Sequence, residues 1–199
     1  MSEQWNKYGP TAARKHGKSG REARPKSVTI DIHSHVAVPE AAQFVAPHLD
    51  LATIPLAHYA TAATKALNQK QEADIRARVG HEHRMADLDA MAIDIQMIAP
   101  PPPQCYYTVP LDIAVKAAQI VNDGIAAFCA KYPDRLKGFG TVPMPDGNEA
   151  AKELERCVKK LGFTGVQVLT NVAGKELSDP AFAPFWNDWN REEGTRRTG

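Results

Sequence analysis

Val28-Thr29-Ile30-Asp31-Ile32-His33-Ser34-His35 reads as an apolar β-strand that ends in two histidines two positions apart. Side chains at i and i+2 of a strand point to the same side of a sheet. His33 and His35 can therefore aim two imidazoles at one point. Neutral imidazole is the commonest nitrogen ligand of zinc and its neighbours, so that point suits a divalent metal. Asp31 has the same parity and is expected on the same face, one layer deeper. A lone histidine beside a strand is usually structural; a pair at the end of an apolar strand carries more weight. Two ligands do not complete a site, because zinc takes three or four from the protein.

Outward from this strand, the pattern alternates. Pro39, Pro47 and Pro55 argue against one long helix after it. Ala and Leu favour a helix from about Pro55 to Gln71. A second helix, His81 to Met91, carries Met85, Leu88 and Met91 at helical spacing. Ile93 to Ala99 reads as the second strand, and Pro100 to Pro103 end it. Leu111 to Tyr132 is the clearest helix, with Ile113, Ala117, Ile120, Val121, Ile125 and Phe128 in one stripe. Leu136 to Val142 is the third strand. Asn148 to Leu161 is a helix with Ala151, Leu154, Cys157, Val158 and Leu161 on one face, and Gly162 is expected to stop it. Phe163 to Leu169 is the fourth strand. Asp179-Pro180 opens a short aromatic helix around Phe182, Phe185, Trp186 and Trp189. Apolar strands joined by helical crossovers predict a parallel sheet covered by helices. The loops that follow the strands lie at its C-terminal edge, where such folds build sites, and the histidine pair sits on that edge.

The chain has 199 residues, 43% hydrophobic and 24% charged, enough for one globular domain. A net charge of +1 gives no field that draws nucleic acid or a membrane surface. No apolar run reaches the length of a membrane span and no secretory leader is legible, so a cytoplasmic location is expected. Cys105, Cys129 and Cys157 are far apart and odd in number, which predicts reduced thiols. The first 26 residues hold Lys7, Arg14, Lys15, Lys18, Arg21, Arg24 and Lys26 against Glu3 and Glu22. They read as a disordered basic tail (1–26) ahead of a domain at 27–199. His81-Glu82-His83 stands at a helix start, where i and i+2 face different ways, so it reads as a helix terminus and not as a metal pair. His16, His48 and His58 have no supporting pattern.

Several segments together resemble one family. They are Ile30 to His35, Arg84 to Gln96 (RMADLDAMAIDIQ), Asn122 to Tyr132, Gly138 to Met144, Ala150 to Asn171 and Asp179 to Trp186. They resemble the amidohydrolase superfamily, and within it the branch typified by aminocarboxymuconate-semialdehyde decarboxylase. The resemblance implies a (β/α)8 barrel with one divalent metal, usually zinc, at its C-terminal mouth. His33 and His35 match the first two metal ligands. Members decarboxylate aromatic or muconate-type acids or hydrolyse related compounds. The metal acidifies a bound water or stabilises developing negative charge. No lysine ends the fourth strand, which favours one metal over two. Pro100 to Tyr107 matches a loop that lines the substrate pocket, so Gln104, Tyr106 and Tyr107 are candidate substrate contacts, with simple packing as the alternative. Arg76 and Arg78 are candidates to hold the substrate carboxylate; Arg84 reads equally well as a surface charge on its helix. The implied partner is a small carboxylic acid, and a homodimer is compatible.

The sequence also departs from the family. A complete barrel takes about 250 residues and eight strands, whereas four strands are legible. The family's third metal histidine follows the fifth strand and its aspartate the eighth. A partial barrel of about four strand–helix units is therefore expected, truncated to the N-terminal half, with its own turnover in question. The rival functions are a metal-dependent hydrolase or lactonase and an inactive fragment or dimerisation module.

Overall fold

Four short parallel strands lie side by side in chain order in the computed structural model, which describes residues 28–50, 61–64, 66, 69 and 81–197. The basic tail, Arg76, Arg78 and most of the helix expected from Pro55 to Gln71 lie outside the described residues. The strands are β1 (Ile30–His35), β2 (Ile95–Ala99), β3 (Leu136–Thr141) and β4 (Gly165–Gln167). Between them run α1 (Pro39–Val45), α2 (His81–Met91), α3 (Leu111–Cys129) and α4 (Gly147–Lys159), and α5 (Ala183–Arg197) follows. Each neighbouring strand pair is parallel: Gln96 stands opposite Leu136, and Phe139 opposite Gly165. The architecture is half of an α/β barrel.

The expected elements form for the expected reasons. In α3 the apolar stripe is the packed face: Ala114, Ala117, Val121 and Ile125 are buried. Asp146 caps α4, its Oδ1 accepting from the Asn148 and Glu149 amides at 2.9 and 3.0 Å. Gly162, at φ +67°, turns the chain in a left-handed conformation toward β4. Gly138 is dictated by packing, since a Cβ there would stand 2.4 Å from the Phe163 ring. Two apolar cores result. One joins Val38, Val45, Leu88, Ile98, Val121, Ile125 and Leu136 between the sheet and α1–α3. The other gathers Tyr107, Val142, Met144, Leu154, Phe182 and Phe185 beyond the ends of β3 and β4.

Three features differ from the sequence expectation. The chain after Thr170 makes a small antiparallel hairpin, β5 (Asn171–Val172) with β6 (Lys175–Glu176), whose turn Asn171 closes by accepting from the Gly174 amide at 2.8 Å. The last helix is not short: α5 continues through the charged end, because Glu and Arg are good helix formers.

The third difference concerns Asp31. Asp31 pairs with Gln96 but Ser34 pairs with Ile98, so Ile32 and His33 together face the single residue Met97. This is a β-bulge, and it inverts the side-chain parity along β1. Directly opposed residues share a face. Asp31 therefore lies with Gln96, on the helix-covered side, while His35 lies with Ala99 on the opposite face. The expectation that Asp31 sits beneath the histidines is corrected by that extra residue.

Ile30 and Ile32 remain 52% and 73% exposed on β1, which among the described residues pairs only with β2. Such an open edge and face are what half a barrel presents. No helix among the described residues is long and apolar enough to cross a membrane.

Candidate metal centre

Both imidazoles come together at the C-terminal end of β1. The His33 and His35 ring centroids lie 4.9 Å apart, with the planes at 78°. His35 Nδ1 is 3.1 Å from the Pro100 carbonyl oxygen. A carbonyl only accepts, so Nδ1 carries the proton and the Nε2 lone pair is left for a ligand bond. Metal-binding histidines are oriented in this way by backbone carbonyls. Gln167, ending β4, donates to the same Pro100 oxygen from Nε2 at 3.1 Å. One carbonyl thus ties the end of β1 to the end of β4.

Two imidazoles with one fixed tautomer fit two positions of a divalent-metal site. Among the described residues no cluster of three or more His, Cys, Asp or Glu side chains is placed to hold a metal. His81 is engaged elsewhere: its Nε2 lies 3.0 Å from the Phe128 carbonyl and its ring stacks on Phe128 at 4.0 Å.

The loop after β2 is tied to the loop after β1. Gln104 is 5% exposed, and its amide bonds Val38 twice and reaches the Tyr106 hydroxyl at 3.5 Å. Its Oε1 accepts from the Val38 amide at 2.8 Å, and its Nε2 donates to the Val38 carbonyl at 2.7 Å. The side chain thus acts as a short strand partner that clamps the loop after β2 onto the loop after β1. Tyr106, in a left-handed conformation at φ +50°, and Tyr107 are both buried. Burial holds the Tyr107 phenol well above the usual tyrosine range.

Sequence reading missed a second polar group. Asn122 is fully buried in α3 and hydrogen-bonds both backbone atoms of Thr141, at the end of β3. Its Nδ2 also reaches Glu153 Oε1 at 2.6 Å, and Arg156 grips the same carboxylate. The available signal was an asparagine inside an otherwise apolar helical stripe.

All three cysteines are buried and free. Burial, opposed by Arg84 and Lys137, pushes the Cys129 thiol up to about 11. Burial and then the Glu153 carboxylate raise Cys157 further. The folded chain is therefore expected to resist Ellman's reagent at about pH 8 and to titrate fully only after denaturation. The sign for stability follows. Unfolded thiols ionise near about 8.5, so above that pH the unfolded state holds fewer protons than the folded one. Stability then falls as pH rises toward about 11, where Cys129 ionises in the folded chain. A urea midpoint that rises with pH across this window would contradict it.

The amidohydrolase family profile matches residues 30–187, and the chain belongs to that family. It is 34% identical over 105 residues to 2-amino-3-carboxymuconate-6-semialdehyde decarboxylase of Dictyostelium discoideum, covering 53% of this chain and 29% of that protein. It is 31% identical over 123 residues to gamma-resorcylate decarboxylase of a Rhizobium species, covering 54% of this chain and 37% of that protein. Among solved structures, 5-carboxyvanillate decarboxylase of Novosphingobium aromaticivorans superposes with a TM-score of 0.70 at 28% identity, over 88% of this chain and 50% of that one. That enzyme is complexed with manganese and 4-hydroxy-3-methoxy-5-nitrobenzoic acid. The 2,6-dihydroxybenzoate decarboxylase from Rhizobium gives a TM-score of 0.60 at 25% identity, over 83% of this chain and 47% of that one. The chain thus spans about half the length of these solved relatives, and its matches cover about a third of the curated ones.

Proposed function

We propose that this protein works as a metal-dependent carboxy-lyase on an aromatic or muconate-type carboxylic acid, with His33 and His35 supplying two ligands to one divalent cation. The observation that carries the reading is the imidazole pair at the C-terminal end of β1, with the His35 tautomer set by the Pro100 carbonyl. Imidazole nitrogen suits zinc, while the solved decarboxylase relative holds manganese; both ions belong in the test. When bound, the cation supplies Lewis acidity that holds a substrate oxygen and stabilises the negative charge left as carbon dioxide departs. The chain's own residues orient it: His35 is held through Nδ1, and Gln167 steadies the carbonyl that holds it. The remaining coordination positions need donors beyond the described residues. Residues 27–199 correspond in this reading to the N-terminal half of a barrel, with 1–26 as a solvated extension. A homodimer fits the open β1 edge, and a cytoplasmic setting fits three free thiols.

The deciding assay supplies the purified full chain with zinc or manganese and offers gamma-resorcylate, 5-carboxyvanillate and 2-amino-3-carboxymuconate-6-semialdehyde in turn. Metal-dependent carbon dioxide release from one of them, lost in His33→Ala, is the expected result. Ester or lactone hydrolysis without carbon dioxide would replace the lyase reading by a hydrolase. Stable metal occupancy with no turnover would reduce the chain to a binding or dimerisation module.

A further inference from the structure

The bulge beside the two imidazoles interrupts the ladder between β1 and β2, so its shape needs support from elsewhere. That support is a closed set of hydrogen bonds on the opposite face. Arg84, from α2, donates through one guanidinium nitrogen to Gln96 Oε1 at 2.6 Å and through the other to the His35 carbonyl at 3.2 Å. Gln96 is 6% exposed, and its Nε2 donates to Asp31 Oδ2 at 2.7 Å. Asp31 Oδ1 accepts from the His33 amide at 3.1 Å. Only this orientation of the Gln96 amide gives Arg84 an acceptor and Asp31 a donor. Ser34, between the histidines, donates from Oγ to the Met97 carbonyl at 2.8 Å.

The circuit therefore begins at the backbone of one histidine and ends at the backbone of the other. It fixes the amide of His33 and the carbonyl of His35, the two peptide groups that flank the His33–His35 segment. With Ser34 tied to Met97 between them, the backbone on each side of both imidazoles is restrained. The rigid guanidinium fork is suited to the task, since it serves two acceptors at once. Burial draws the Arg84 pKa down while the Asp31 carboxylate opposes that, which agrees with charge coupling along the relay.

We infer that Arg84, Gln96 and Asp31 are positioning residues that set the aim of the His33 and His35 imidazoles through the bulge backbone. The consequence for metal affinity rests on the proposed function; the consequence for the rings does not. Gln96→Glu keeps an acceptor for Arg84 but sets a second carboxylate against Asp31. Adding Asp31→Asn turns the repelled carboxylate into an amide that can donate to the new one, while its oxygen still accepts from the His33 amide. The single variant should break the relay and the double variant restore it.

The full chain is used throughout, and two quantities are read. The first is the set of nitrogen-15 ring signals of His33 and His35 without metal, with His81 as an internal reference. In the parent chain His35 should show the Nδ1–H tautomer. In Gln96→Glu the His33 and His35 signals should shift or double while His81 stays, and in the double variant they should return. The second is the zinc dissociation constant, which should rise about 10- to 100-fold in Gln96→Glu and recover in the double variant. Arg84→Lys is the second probe: a compact ammonium cannot span both acceptors, so the His35 signals should move with the fold intact. Unchanged ring signals in both Gln96→Glu and Arg84→Lys would overturn the inference, and so would disturbed signals that the double variant fails to restore. Ring signals that respond as described in a parent chain that takes up no zinc would uphold positioning and defeat the metal reading.

Discussion

Alanine at His33 or His35 is expected to drop the divalent-metal content of the purified chain from about one equivalent to less than about a tenth under zinc-replete conditions. Each substitution removes half of the nitrogen donors that the described residues bring to one point. No third histidine, cysteine or carboxylate joins the pair among those residues, so no neighbour is placed to take over. The two variants should differ in one respect. His33 is exposed and its ring is not tied to the scaffold, so His33→Ala should leave thermal stability within about 0.5 kcal/mol of the parent. His35 is part-buried and anchored to Pro100, so His35→Ala should also cost about 1 kcal/mol through the lost hydrogen bond. Elemental analysis after gel filtration, with a thermal melt of each variant, checks both statements. Equal metal in parent and variants would remove the histidine pair from the site, and a metal-free parent would remove the site itself.

Asn122→Leu is expected to be the most damaging single change for the fold. The asparagine side chain makes three hydrogen bonds of 2.6 to 2.8 Å in a site with no access to water. Leucine matches its shape and offers none of them. The substitution strands the Thr141 amide and carbonyl at the end of β3. It also takes a donor from the Glu153 carboxylate, which is 5% exposed and is left with Arg156 as its charged partner. Unsatisfied buried groups of this kind cost about 1–3 kcal/mol each. A loss of about 3–5 kcal/mol follows, because the groups belong to one network and their costs overlap. For a chain of this size that corresponds to a melting temperature lower by roughly 10 °C. There is no room for relaxation nearby: a Cβ on Gly140 would already stand 3.0 Å from Asn122 Oδ1. The damage should reach the histidine pair, since Thr141 lies opposite Gln167 in the register, and Gln167 holds the carbonyl that holds His35. Chemical denaturation of the variant tests this; a change below about 1 kcal/mol would show that the network contributes shape and not stability.

Particular residues show how far local pattern reaches. Ile113, Ala117, Val121 and Ile125 announce α3 because burial on a helix recurs every three or four residues, and the packed face is the one they mark. Gly162 ends the α4 region where a left-handed backbone is needed. The prolines after Ala99 end β2 as expected, and the first of them carries the carbonyl that holds His35. Gln104 shows the opposite case. In a loop at the sheet edge it reads as a substrate contact or as packing, and its bonds to Val38, 66 positions away in the chain, are not visible in local pattern. Arg84 reads equally as a carboxylate-binding arginine or a surface charge on its helix; its partners, Gln96 and the His35 carbonyl, come from β2 and β1.

The amino-acid sequence by itself determined the alternation of strands and helices, the parallel sheet and the place of His33 and His35 at its C-terminal edge. These follow from apolar periodicity and turn chemistry, which act between near neighbours in the chain. The tertiary structure alone decided which way those side chains face. The bulge exists only in the register of β1 against β2, more than sixty residues apart, and that register turns Asp31 away from the histidines and into the relay with Gln96 and Arg84. Parity is a property of one strand, whereas the aim of a ligand is a property of the pair.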